Sequence, residues 1–105
     1  MNFMNTYEID ERVDRFTSHP VLGPATRTLA NLRDAANANS DGWCYWPKPA
    51  RAAKKLMELI QRATETSWPP RQGVTTKELL AAYRSLKSFR TKSGIAFEIV
   101  EPEGA

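Results

Sequence analysis

One cysteine and one histidine are all that this chain of 105 residues holds of the two residue types most used for metal sites and nucleophilic chemistry. Cys44 alone excludes an intrachain disulfide, and no cation or imidazole beside it in sequence activates it, so it reads as a small buried apolar residue. His19 stands next to Pro20 without convergent partners and reads as a loop or helix-end residue. No Gly-rich phosphate loop, zinc-ligand spacing, or Ser-His-Asp or Cys-His set is present, so neither a cofactor nor a metal is expected. Paired carboxylates need only two acids in space, and nothing in the sequence selects a pair. The reading is therefore non-enzymatic.

No apolar run approaches the ~18 residues that read as a membrane span. The opening residues, MNFMNTYEIDERVD, carry no basic patch followed by an apolar stretch, so no secretory signal is expected. With a single cysteine, these features predict a cytoplasmic protein without a membrane partner.

What is present is a moderately apolar, aromatic-bearing chain: 41% hydrophobic, ten aromatics and 26% charged residues. Aromatic burial of that order offsets chain entropy and argues for a folded domain. Its length predicts one domain, residues 1–105, with residues 101–105 as a flexible acidic tail. The net charge of +3 is unevenly placed. Residues 1–18 hold four acids against two bases, residues 98–105 hold three acids and no base, and residues 19–97 hold thirteen bases against five acids. A basic body between acidic ends suggests an anionic partner, or an acidic tail folding back as an internal competitor. The plainer alternative is that the bases solvate helix faces.

The pattern predicts four helices. The first runs from about Thr6 to Phe16, with Asn5 and Glu8 forming a capping box and Ile9, Val13 and Phe16 on one stripe. Asp10 and Asp14 then share a solvated face. The second opens at Gly23-Pro24, with Ala25, Leu29, Leu32 and Ala36 inward and Arg27 and Arg33 exposed. Its end is set by the turn-rich run from Asn37 to Gly42. The third spans about Ala50 to Thr66, with Ala53, Leu56, Met57, Ile60 and Ala63 buried. The fourth begins at a Thr75-x-x-Glu78 cap and runs to about Arg90, burying Leu79, Leu80, Tyr83, Leu86 and Phe89.

Two stretches read as β. Trp43-Cys44-Tyr45-Trp46 is bulky and follows Asp-Gly. Ile95–Val100 alternates apolar residues with Ala96 and Glu98 and follows the Ser93-Gly94 turn. Pairing them gives a mainly helical α+β domain with a minimal two-stranded sheet. The same Ile95–Val100 edge, paired with a second copy, would give a homodimer.

The functional candidates are basic and aromatic. Lys77, Arg84, Lys87 and Arg90 give the fourth helix its basic side. Lys48, Arg51 and Lys55 open the third helix beside the aromatic cluster, where Trp43 and Trp46 could stack bases, though packing is their commoner use. Trp68, on a proline-rich loop, is a contact candidate. Together they predict a small regulatory protein that binds nucleic acid through a basic helical surface. The alternative is a protein-binding inhibitor or adaptor acting on a protein or nucleoprotein complex, of the small phage-encoded, anti-CRISPR-type kind. Tryptophan accessibility to a quencher separates the two, because shielded tryptophans count against an aromatic hot spot.

Overall fold

A computed structural model of the chain describes residues 4–38, 51–65 and 75–102. Four helices make up most of these residues: α1 Thr6–Arg15, α2 Leu22–Ala38, α3 Lys54–Glu65 and α4 Thr76–Ser93. The closest-packed pairs are α1 with α2, α2 with α3, and α3 with α4.

The start of α1 is fixed locally. The Asn5 side chain accepts the Glu8 N–H at 2.8 Å, and the Glu8 carboxylate accepts the Asn5 N–H at 3.3 Å. This reciprocal cap satisfies two donors that a helix start leaves open and is worth about 1 kcal/mol. At the start of α4, Thr75 accepts the Glu78 N–H at 3.1 Å, while the Glu78 carboxylate reaches across to Arg62 of α3. Gly94 ends α4 with φ of 72°, a left-handed conformation that glycine adopts without a side-chain penalty.

His19 caps α2. Its Nδ1 accepts the N–H groups of Val21 and Leu22 at 3.1 and 3.0 Å, which requires the tautomer protonated at Nε2. Pro24 lies in the first turn, where its missing N–H costs nothing. Gly23 is packed against the preceding turn: a Cβ there would lie 2.7 Å from the Phe16 carbonyl oxygen and 3.2 Å from that of Thr17. The Phe16 carbonyl is held by the His19 N–H at 2.9 Å and cannot swing away freely. Alanine in a helix gains up to about 1 kcal/mol over glycine, but overpacking against backbone costs about 1–3 kcal/mol. Gly23→Ala should therefore be destabilising by roughly 1–2 kcal/mol, read as a lower urea midpoint at unchanged slope. A neutral or more stable variant would mean that the turn relaxes.

The core draws on every helix. Ile9, Leu29, Leu32, Leu56, Met57, Ile60, Tyr83 and Leu86 are fully buried, each worth about 1.5–3 kcal/mol of burial. Leu80, expected inside, is exposed on α4.

The predicted two-stranded sheet is not supported: the described residues contain no β-strand. The Trp43–Trp46 half of the prediction lies outside the described residues. Ile95–Val100 forms neither helix nor strand, and side chains of α2 and α4 take several of its backbone groups. Thr28 Oγ1 accepts the Val100 N–H at 2.9 Å, and the Tyr83 hydroxyl donates to the Val100 carbonyl at 2.9 Å. Asn31 donates to the Glu98 carbonyl at 3.1 Å, and Arg90 to that of Phe97 at 3.3 Å. The alternation was a true signal of facing, since Ile95 and Phe97 are buried while Ala96 and Glu98 are exposed. It did not specify a ladder. Past the segment, Glu101 meets Lys87 at 2.7 Å and Pro102 is buried, so of the expected loose tail at least these two residues are engaged.

A second departure lies between α1 and α2. Arg33, expected in solvent, is buried. Its guanidinium donates to Asp10 at 2.6 Å, pairs with Asp34 at 2.9 Å and reaches the Thr6 carbonyl at 3.3 Å. Burial pulls its pKa down, but the hydrogen bonds and charges of Asp10 and Asp34 outweigh that and leave it raised. Asp10 is thus exposed, as expected, and also an ion-pair partner of α2.

Candidate functional site

The charged side of the molecule is the outer surface shared by α3 and α4. The two helices run antiparallel: Arg62, near the end of α3, meets Glu78 at the start of α4 at 2.7 Å. Ser85, midway along α4, donates to the carbonyl of Ala52, just before α3, at 3.3 Å. Apolar residues of both helices turn inward, which forces Arg51, Lys54, Lys55, Lys77, Arg84 and Lys92 outward, all of them exposed.

Two clefts lie along this surface. One is lined by Lys55, Glu58, Leu59, Arg62, Glu78 and Ala81 and has a volume near 230 Å³. The other, near 440 Å³, lies where α3 begins and α4 ends and is lined by Arg51, Ala52, Ser85, Ser88, Phe89 and Lys92.

The predicted site residues divide into three groups. Arg51 and Lys55 line the two clefts, and Lys77 and Arg84 stand on the neighbouring outer face of α4. Among the described residues, no carboxylate pairs with Lys77 or Arg84. Lys87 and Arg90 lie on the other flank of α4 and are tied to the C-terminal segment. Lys87 pairs with Glu101, while Arg90 bonds the Phe97 carbonyl and stacks its guanidinium 5.9 Å from the Phe97 ring. Arg90 thus serves packing as much as charge, and the charge of Lys87 is already met by Glu101. Lys48 and Trp68 lie outside the described residues.

Lys92, Ser85 and Ser88 are not among the site residues predicted from the sequence. The signal was there: Ser85, Ser88 and Lys92 recur at i, i+3 and i+7, on one side of α4 with Ala81.

No group of three or more metal-ligating side chains occurs among the described residues, and no helix among them is long and apolar enough to cross a membrane. Comparison with protein-family models, curated proteins and solved structures finds no match for this chain.

Proposed function

We propose that this chain is a non-enzymatic binding and regulatory protein that contacts nucleic acid through the basic face of α3 and α4. The observation that carries the reading is that Arg51, Lys55, Lys77, Arg84 and Lys92 are all exposed on or just before the α3–α4 pair, with Arg51, Lys55 and Lys92 lining its clefts. Exposed cations along a helix pair suit a phosphate backbone, whose neutralisation releases counterions. The non-enzymatic part draws support from His19, whose Nδ1 is already occupied in capping α2. A cytoplasmic location accords with the single cysteine.

The test is fluorescence anisotropy with duplex DNA, single-stranded DNA and RNA at several salt concentrations. Wild-type binding should weaken steeply with salt. Lys77→Glu/Arg84→Glu should reduce affinity about tenfold or more at low salt and lower the salt slope by roughly 2. Adding Lys87→Glu should have a smaller further effect, because Lys87 already meets Glu101. A double variant that binds like wild type would refute the reading.

The alternative, an inhibitor or adaptor for a protein or nucleoprotein complex, draws on Tyr7. This side chain is 78% exposed on α1, within a helix turn or two of Asp10, Glu11 and Asp14 on the same side. A homodimer through Ile95–Val100 has less to draw on. The Val100 N–H and the Phe97, Glu98 and Val100 carbonyls already have side-chain partners within the chain.

A further inference from the structure

We propose that the cleft between the start of α3 and the end of α4 is a phosphate subsite, holding one phosphate group of a nucleic-acid strand between Arg51 and Lys92 with Ser88 as hydroxyl donor. This rests on the reading of the α3–α4 face given above and assigns it a defined point of contact.

The charge balance of the surface singles out this cleft. Among four clefts defined by described residues, three are lined by cations and carboxylates in equal number. Lys55 and Arg62 stand with Glu58 and Glu78, Arg15 with Asp14, and Arg27 with Glu101. The fourth has Arg51 and Lys92 and, among its described lining residues, no carboxylate. Two like charges lining one recess repel, and an anion between them relieves that repulsion. The backbone contributes little net field. The negative end of α4 and the positive start of α3 lie at the same end of an antiparallel pair, and their dipoles offset. The side chains therefore set the sign.

The hydroxyls add directed hydrogen bonding. Ser85 donates to the Ala52 carbonyl, which fixes its proton within the protein. Ser88 is exposed, and among the described residues nothing takes its hydroxyl. One turn further along α4 lies Lys92, and one turn back lies Arg84, so the cleft ends a cationic row that begins at Lys77. A planar guanidinium, a flexible ammonium and a hydroxyl are the donors a phosphate takes. At 440 Å³ the recess also has room for a sugar beside the phosphate.

The experiment uses the whole chain, ¹⁵N-labelled, titrated with sodium phosphate and, separately, with sodium chloride at matched ionic strength. Phosphate should shift the amide resonances of Ser85, Ser88 and Lys92 in a saturable way, and chloride should not. Arg51→Glu/Lys92→Glu should abolish the saturable response, and Lys77→Glu/Arg84→Glu should retain it. Both substituted pairs are exposed, and far-UV circular dichroism verifies that the helices persist. Equal responses to phosphate and chloride, or a phosphate response unaffected by the Arg51/Lys92 reversal, would overturn the subsite.

A single-stranded oligonucleotide separates the subsite from the wider reading. Arg51→Glu/Lys92→Glu should weaken its binding about tenfold and lower the salt slope by roughly 0.7, the share of one phosphate contact on a single strand. Salt-sensitive binding that ignores this reversal leaves the nucleic-acid reading in place and removes the subsite. Saturable phosphate binding by a chain that takes up no oligonucleotide even at low salt keeps the subsite and removes the nucleic-acid reading.

Discussion

Replacing Asp10 and Asp34 together by alanine should destabilise the chain more than replacing Arg33 by methionine. The three residues form one cluster, but water reaches them unequally. The Arg33 side chain is only 9% exposed, against 58% for Asp10 and 66% for Asp34. Without both acids, the guanidinium stays at the α1–α2 junction with the Thr6 carbonyl as its remaining described partner. A buried charge stripped of its counter-charges costs about 3–5 kcal/mol. Without the arginine, two carboxylates remain that already touch solvent and rehydrate readily. Methionine keeps much of the buried volume, so the expected loss is about 1 kcal/mol. Urea unfolding of the two variants beside wild type gives the comparison. If the methionine variant proved the weaker, the arginine's hydrogen bonds would be holding α1 to α2 by more than charge compensation.

Alkaline pH should open the fold through Tyr83. Burial among the core residues pushes its phenol up to about 12, with a Thr28 hydrogen bond opposing the shift and the Glu101 charge adding to it. An unfolded tyrosine ionises near 10. Between pH 10 and pH 12 the unfolded chain therefore releases a proton that the folded chain keeps, and each step up in pH favours unfolding. The stabilisation is complete below pH 10, declines through that window and is gone above the folded value. Its size is roughly 2–3 kcal/mol, from about 1.4 kcal/mol per pH unit. Tyr83→Phe should cost about 1 kcal/mol at neutral pH through the lost bond to Val100. It should also show a shallower fall in denaturation midpoint between pH 9 and pH 12 than wild type. Parallel curves for the two proteins would place the alkaline sensitivity in other groups.

The elements that sequence reasoning located well are those decided within a few residues. Asn5 with Glu8 announces the start of α1 because both partners of the cap lie within one turn. Thr75 announces the start of α4 for the same local reason, while the expected end near Arg90 fell short of Ser93, where Gly94 closes the helix. Inward stripes were legible wherever apolar residues recur at helical spacing, as at Leu56, Met57 and Ile60. Arg33 was misplaced because a side chain's class says nothing of a partner 23 residues away, and Asp10 supplies that partner. Leu80 was misplaced because α4 buries a narrower stripe than its leucines suggest. For the C-terminal segment, alternation reported which side chains face inward but not what takes up the backbone groups. At the site, the sequence supplied the cations but could not sort them. Only packing separates Lys87 and Arg90, drawn to the C-terminal segment, from Arg51 and Lys92, which meet across a cleft.

The bond between Thr28 and Val100 closes a span of 72 residues. Helices α1 to α4 can form and pair through nearer contacts, whereas this closure must await residues that follow α4. During synthesis, a chain that has emerged as far as α4 would still show the apolar bed of Ile95 and Phe97 between its second and fourth helices. Ile95 and Phe97 complete the core by filling that bed, so a nascent chain keeps this apolar surface open until they have emerged and folded back.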